Sequence, residues 1–330
     1  MDPRLIFVTI LCGALVLSCS EQINPESAIA TAPKVDAKYP SSAQSLRSWP
    51  DVIVAERNLF LPEGIEYDQS NARFLVGSLR EGTVYQLEID GRLTPVVEDQ
   101  ELVSSVGIEV DQTRGRLLVA NSDSSIFTSG GSGQAKLGVF DLNSGQRIAM
   151  VDLAATIEDR TPETVFFAND VTVGDDGVLY VSDTRTGAIY RIDQDYKASL
   201  FHRFAVSKSF SPNGIVFHPS GYLLIAGGES LYKLPLDDPA SASAVKLPEA
   251  ISGADGMVWT REGHLAIVAN RANRVVALSS ADEWKTAQLV GVAEYEVMAS
   301  TVAVVGRDLY VVHPHFRDDG IPSIERVTFD

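Results

Sequence analysis

The feature that most constrains how this chain can fold is a short segment that occurs six times after residue 50. Each copy consists of a first residue, a second residue that is glycine in four of the six copies, and a strand of alternating apolar residues. The copies begin at Glu63, Val106, Asn169, Asn213, Asp255 and Ser300. Their starts lie about 42 to 45 residues apart, apart from one interval of about 63. Self-similarity at this period indicates a repeat architecture.

Every copy is followed by a turn and a second apolar strand, as in Leu179–Val181, and most units add a third strand, as in Gly187–Ile192. About four strands per repeat is the pattern of propeller blades, because one such unit cannot bury both faces of its sheet alone. The sequence therefore predicts an all-β fold, a six-bladed β-propeller with four-stranded blades.

The last repeat contains only three clear strands, whereas Val52–Ala55 is an unassigned strand ahead of the first repeat. Pairing this N-terminal strand with the last blade would close the ring and cover an exposed sheet edge. The second repeat is the longest because it carries two extra segments, Ser129–Gly133 and Ile157–Pro162. We expect these insertions on one face of the propeller, where loops border the channel.

The N-terminus has the layout of a signal peptide over residues 1–18, with an apolar run too short for a comfortable membrane span. Val16–Cys19 resembles a bacterial lipobox, in which Cys19 is lipidated. We expect residues 19–45 to form a flexible tether and residues 46–330 to form the propeller. This predicts a location in the bacterial cell envelope, lipid-anchored; plain secretion and an uncleaved anchor are the alternatives.

Cysteine content and charge exclude several classes of function. The only cysteines are Cys12 and Cys19, both in the N-terminal segment, so the domain has no disulfide, cysteine–zinc site or thiol nucleophile. The formal net charge of -17 repels nucleic acid and anionic lipids and attracts cations. We therefore expect no nucleic-acid partner, and contact with a membrane only through the lipid anchor.

The residue before the first strand of each blade is expected at the mouth of the central channel, where all six such residues converge. Four of them carry side-chain oxygens that can bind a metal ion: Glu63, Asn169, Asn213 and Asp255. Oxygen ligands without histidine or cysteine favour a hard divalent cation, with calcium first and magnesium or manganese as alternatives. Two carboxylates would neutralise one such ion.

Turn chemistry is the competing interpretation of these residues. Asn or Asp before Gly is common in turns, and each residue taken singly is explained in that way. Four of them at the same position of different blades, directed at one axis, are not. We therefore predict a metal site.

The four residues and their surroundings resemble the regucalcin/gluconolactonase family, which is related to the paraoxonases and diisopropyl fluorophosphatase. Glu63 matches the first-blade glutamate, Asn169 and Asn213 the two asparagines, and Asp255 the aspartate that hold the catalytic cation in that family. The chain departs from the paraoxonases at two positions. Those enzymes carry a histidine near the position of Val106. At the position of Gly64 they have an acidic residue that contributes to a second calcium site.

The resemblance implies a calcium-dependent hydrolase of lactones, sugar lactones first, or of related esters. Asp255 would be a ligand and the base for the attacking water, or a ligand alone, and His315 is a second candidate base. No Gly-x-Ser-x-Gly motif supports a serine hydrolase. The alternative is a non-enzymatic, calcium-stabilised propeller that acts as a binding or interaction module.

Overall fold

Each repeat folds into a twisted antiparallel sheet, because its alternating apolar residues give the sheet two faces to bury. The computed structural model describes residues 49–330. They form six sheets of four or five strands, arranged as a six-bladed β-propeller, which confirms the predicted all-β fold. The predicted signal peptide 1–18, Cys19 and the tether 19–45 lie outside the described residues.

The strands of the first three repeats follow in chain order. One strand precedes them: β1 (Val52–Val54). Blade 1 contains β2 (Ile65–Asp68), β3 (Arg73–Val76), β4 (Val84–Leu87) and β5 (Leu93–Val97). The second repeat contains β6 (Ser104–Asp111), β7 (Arg116–Ser122), β8 (Gly133–Gln134), β9 (Lys136–Asp141) and β10 (Arg147–Asp152). Blade 3 contains β11 (Phe166–Val173), β12 (Leu179–Asp183), β13 (Ala188–Ile192) and β14 (Ala198–Arg203).

The remaining strands belong to blades 4 to 6. Blade 4 contains β15 (Ile215–His218), β16 (Tyr222–Gly227), β17 (Ser230–Pro235) and β18 (Ser243–Ala244). Blade 5 contains β19 (Ala254–Trp259), β20 (Leu265–Ala269), β21 (Arg274–Ser279) and β22 (Gln288–Glu294). Blade 6 contains β23 (Val302–Val305), β24 (Asp308–His313) and β25 (Ser323–Arg326).

In the described part of the chain, three short 3₁₀ helices lie in the connections: Ser124–Phe127, Ala154–Thr156 and Pro239–Ser241. Over residues 49–330, no helix has the length and apolar character needed to cross a membrane.

The first strands of the blades, β2, β6, β11, β15, β19 and β23, contact one another around a ring and so line the central channel. We call the end of the channel at which these six strands begin the mouth. The loops after each second strand and the connections between blades lie at this end, because the strands of a blade alternate in direction.

The N-terminal strand closes the ring, as predicted. β1 pairs antiparallel with β25, with Ile53 opposite Ile324, and so becomes the outer strand of blade 6. Ile53 is 2% exposed and packs in a cluster that includes Tyr310 of blade 6 and Phe74 of blade 1. The two ends of the propeller sequence therefore share one sheet and one core.

The hydrophobic core is divided into six clusters, one between each pair of neighbouring blades. Leu118 and Leu137 of blade 2, for example, pack against Val171 and Tyr190 of blade 3. Burial of these apolar faces is the main force that holds the blades together, at roughly 25 cal/mol per Å² removed from water. The ring is stable only when every interface is filled, including the one that β1 completes.

We expect Ile53→Ala to destabilise the fold by roughly 2 to 5 kcal/mol, because it leaves a cavity in the closing interface. Val54→Ala is the matched control: Val54 is the next residue of β1, is 52% exposed, and its truncation should cost about 1 kcal/mol or less. Urea unfolding of both variants measures the difference. Equal effects of the two substitutions would show that β1 is not needed for closure.

Candidate metal site at the channel mouth

Irregular backbone places the predicted ligands at the mouth. Asn169 and Asp255 lie in β11 and β19 at positions where the register with the second strand shifts, between Ala168 and Val171 and between Ala254 and Met257. Such bulges bend a strand and redirect its side chains. Blade 2 has the same irregularity between Ser105 and Ile108. In blades 1 and 4 the predicted ligand instead lies just before the inner strand.

The glycines that follow these residues allow neighbouring inner strands to approach closely. A Cβ atom at Gly64 would lie 2.4 Å from the carbonyl oxygen of Val106, and one at Gly214 would lie 2.3 Å from that of Asp255. Neither glycine has a positive φ, so their conformation is not what requires glycine. Close backbone contact between blades explains the Glu-Gly and Asn-Gly pairs better than turn formation does.

Asp170 and Ser300 make side-chain links between inner strands. The Asp170 carboxylate accepts hydrogen bonds from the backbone N–H groups of Val171 (2.9 Å) and Ile215 (3.1 Å), which joins blade 3 to blade 4. Ser300 Oγ donates to the backbone carbonyl of Glu63 at 2.8 Å and joins blade 6 to blade 1. These links hold the mouth residues at short distances from one another.

Three of the four predicted ligands carry a buried oxygen without a hydrogen-bond partner: Glu63 Oε2, Asn213 Oδ1 and Asp255 Oδ1. A buried polar atom without a hydrogen bond lowers the stability of the fold by roughly 1 to 3 kcal/mol, and by more when the group is charged. Three such oxygens at one end of the channel are the donor set of a hard cation. The side chains present therefore fit the predicted metal ion.

Asp255 is held by the loop after the second strand of its own blade. Asn270 Nδ2 donates to Asp255 Oδ2 at 2.6 Å and leaves Oδ1 for another partner. Burial raises the pKa of Asp255 to about 7, although the hydrogen bond from Asn270 and the nearby Asn213 side chain favour its charged form. Asn213 therefore lies beside Asp255 as well.

Glu63 belongs to the same electrostatic group. Burial raises its pKa well above the ordinary glutamate value, and the negative charges of Asp255 and Asp170 raise it further. Burial likewise raises the pKa of Asp170 to about 7, against the two backbone hydrogen bonds that it accepts. Glu63 and Asp255, which are buried, and Asp170, which is half-buried, repel one another when charged, and a nearby positive charge would stabilise all three.

Asn169 is placed differently from the other three residues. Its Nδ2 donates to Thr184 Oγ1 at 3.0 Å, and that hydroxyl donates in turn to the carbonyl of Pro212 at 2.7 Å. These contacts use the amide donor of Asn169 and keep its carbonyl oxygen as an acceptor. They do not link Asn169 directly to Glu63 or Asp255.

Across residues 49–330, no group of three or more His, Cys, Asp or Glu side chains has a metal-binding arrangement. Any ion at the mouth would thus need amide oxygens in addition to its carboxylates. The other two mouth positions supply no further ligand, because Val106 is apolar and the hydroxyl of Ser300 donates to the carbonyl of Glu63.

His315, the second candidate base, contacts its own loop. Its Nδ1 lies 2.7 Å from Asp318 Oδ1. His313 is 1% exposed, and its Nδ1 contacts the carbonyl of Met298 at 3.2 Å. Burial lowers the pKa of His313. Among the hydrogen bonds and ion pairs of the described residues, neither histidine reaches Asp255.

Asn270 is the site residue that the sequence did not reveal. Asn121 and Asp183 also lie at the ends of second strands, and both hold local backbone: Asn121 Oδ1 accepts from Val103 N, and Asp183 Oδ1 from Thr186 N. Asn270 differs because a mouth carboxylate, Asp255, lies beside it. Only the pairing of the two strands shows this.

The sequence profile of the SMP-30/gluconolactonase/LRE-like region matches residues 61–312 of the chain. The protein belongs to this family. The match spans all six inner strands and every predicted ligand, and it supports a hydrolase of the lactonase type. No curated protein sequence matches the chain.

Solved structures share the propeller at low sequence identity. The chain is similar to the allergen Mala s 1 of Malassezia sympodialis, with 20% identity, a TM-score of 0.72 and coverage of 85% of this chain and 97% of the allergen. A calcium-binding protein, regucalcin, from Agrobacterium tumefaciens is 18% identical, with a TM-score of 0.60 and coverage of 85% and 95%. A luciferin-regenerating enzyme is 15% identical, with a TM-score of 0.59 and coverage of 84% and 94%.

We predict that Asn270→Ala weakens calcium binding about 10-fold, because a residue that orients a ligand typically affects affinity to this extent. Isothermal titration calorimetry with calcium measures the affinity. Asn121→Ala is the matched control, since Asn121 lies near the end of the second strand of blade 2 and contacts backbone, Gln134 and Met150 but no mouth carboxylate; it should lower stability and leave the calcium Kd within about 2-fold. Equal calcium affinity in Asn270→Ala and wild type would exclude this role.

Proposed function

We propose that this protein is a divalent-cation-dependent hydrolase of lactones or related esters, with calcium as the cation. The observation that carries the proposal is the set of three buried, unpartnered oxygens on Glu63, Asn213 and Asp255. A hard cation satisfies all three at once, and the family match supports hydrolysis as the reaction.

Glu63, Asn169, Asn213 and Asp255 are the residues proposed to hold the ion. When bound there, calcium would supply Lewis-acid polarisation of the ester carbonyl and stabilise negative charge on its oxygen. The two carboxylates balance its charge, and the two neutral amides add oxygen ligands without further repulsion. Magnesium and manganese meet the same ligand preference, so metal analysis of the protein as purified identifies the resident ion.

Asp255 is the proposed general base. Its Oδ2 is fixed by Asn270, while Oδ1 is buried without a protein partner. In the proposed reaction Oδ1, which would also contact the ion, takes a proton from water as the water oxygen attacks the carbonyl carbon, and the proton is returned to the departing alkoxide when the C–O bond breaks. Hydrolysis opens the lactone ring and gives a single hydroxy acid, so water is the only other reactant.

Charge and targeting bear on where this reaction would take place. The net charge of -17 disfavours nucleic acid and anionic membranes as partners and is compatible with a small-molecule substrate. The sequence Val16–Cys19 supports a lipid anchor on Cys19 and a location in the bacterial cell envelope. These inferences concern the location and the partners of the protein, and they do not depend on the chemistry at the mouth.

A second candidate function is a calcium-stabilised binding module without turnover. The same buried oxygens favour it, because an ion there would join blades 1, 4 and 5 whether or not a substrate binds. One structural neighbour is described as a calcium-binding protein. Turnover, and not calcium binding, separates the two candidates.

The test is hydrolysis of a panel of lactones, aryl esters and phosphotriesters, with calcium and with chelator. We expect chelator-sensitive turnover of lactones, and a fall in kcat of about 100-fold or more in Asp255→Asn. Asn213→Ala should weaken calcium binding and require more calcium for activity. Asn143→Ala, an exposed amide in a turn at the other end of the propeller, is the control and should behave as wild type.

Calcium binding without turnover of any panel member would favour the binding module instead. Turnover that persists fully in chelator and in Asp255→Asn would exclude the proposed mechanism.

A further inference from the structure

The insertion in the second repeat extends to the channel mouth. Its strand β8 leaves blade 2 and pairs parallel with β11 of blade 3, with Gly133 opposite Phe166 and Gln134 opposite Phe167. In the resulting sheet β8 lies beyond β11, on the edge that faces the channel. The predicted placement of the Gly/Ser-rich insertion on a propeller face is therefore correct, and its position is at the mouth, beside Asn169.

Hydrogen bonds hold both sides of this insertion. Phe166 N donates to the carbonyl of Ser132 at 2.8 Å. Gln134 Nε2 donates to Asn121 Oδ1 at 2.8 Å, and Ser122 Oγ donates to the carbonyl of Gln134 at 3.0 Å. The insertion thus bridges blades 2 and 3 as an ordered wall of the mouth.

This wall presents an aromatic pair. The rings of Phe127 and Phe167 meet edge to face, with centroids 5.0 Å apart. Phe167 is 4% exposed, yet it belongs to none of the six clusters between blades. Phe127 contacts it and is itself 62% exposed, the largest value among the exposed large hydrophobic side chains of the described chain. Phe167 lies two residues before Asn169 on the same strand.

Exposed apolar side chains in the connections are concentrated at the mouth. Six of them lie in loops at this end: Leu59, Val103, Phe127, Val206, Val297 and Ile321. Within residues 49–330, the connections at the opposite end carry one comparable residue, Ile89. The apolar surface of the loops therefore lies mainly on the propeller face that carries the unpartnered oxygens, where a substrate would enter.

We propose that Phe127, packed against the buried ring of Phe167, forms an apolar subsite beside the ion-binding residues, and that the substrate is a lactone or ester with an alkyl or aromatic substituent. The inference rests on the proposed function, whose substrate class it narrows. A sugar lactone carries hydroxyl groups on its ring carbons, and an aromatic wall offers these groups no hydrogen bonds. An alkyl or aryl substituent binds favourably at the same wall, because its apolar surface is removed from water there.

The experiment compares three five-membered lactones with calcium present: γ-decalactone, unsubstituted γ-butyrolactone and polyhydroxylated ribonolactone. We expect kcat/KM to be at least about 10-fold higher for γ-decalactone than for ribonolactone. Phe127→Ala should lower kcat/KM for γ-decalactone about 10-fold, mainly through KM, because a contact of this kind contributes to binding in both the ground and transition states. The same variant should leave γ-butyrolactone unaffected, and Phe127→Leu should restore most of the loss.

Ile148→Ala is the control, since Ile148 is 48% exposed on the outer strand β10, away from the channel. A calorimetric titration with γ-decalactam provides a readout without turnover, and Phe127→Ala should weaken its binding about 10-fold. Binding of the lactam that depends on Phe127, with no hydrolysis of any ester, would support the subsite and reject the hydrolase.

Hydrolysis that favours ribonolactone and is unchanged in Phe127→Ala, with lactam binding equal in wild type and variant, would overturn the subsite and retain the hydrolase. Neither hydrolysis nor lactam binding would overturn both.

Discussion

Close packing of the inner strands around the channel is the constraint on which the rest of the structure depends. The strands approach so nearly that Gly64 and Gly214 have no room for a Cβ atom, and the Ser300 hydroxyl completes the ring at Glu63. Residues separated by about 40 positions or more in the chain are thereby brought to one opening. Because the apolar interfaces between blades supply the stability, the opening itself can hold polar groups that do not stabilise the fold.

These polar groups are under electrostatic strain. Glu63 and Asp255 are buried and Asp170 is half-buried, and each has a raised pKa because removal from water disfavours its charged form. Asp170 offsets part of this cost with two backbone hydrogen bonds, and Asp255 with its contact from Asn270. Glu63 Oε2 and Asp255 Oδ1 have no such partner. A positive charge at the mouth would stabilise the charged form of these carboxylates and offset the repulsion between them. The proposed metal ion would supply this charge.

Much of the fold could be predicted from the sequence because the signals are periodic. Six copies of one strand pattern indicated six blades, and the spare strand Val52–Val54 indicated the closure. Asn270 could not be recognised, because asparagines at strand ends commonly hold turns, as Asn121 does, and only tertiary pairing places Asn270 against Asp255. The course of β8 was likewise hidden: two residues that pair in parallel with another blade leave no periodic pattern.

The most direct measurement is a crystal structure of the protein grown with calcium, with anomalous scattering data to locate the ion. We expect one strong peak at the channel mouth, about 2.3 to 2.6 Å from side-chain oxygens of Glu63, Asn169, Asn213 and Asp255. A mouth without a peak at saturating calcium, or an ion bound elsewhere while the oxygens of Glu63 and Asp255 stay unliganded, would contradict it.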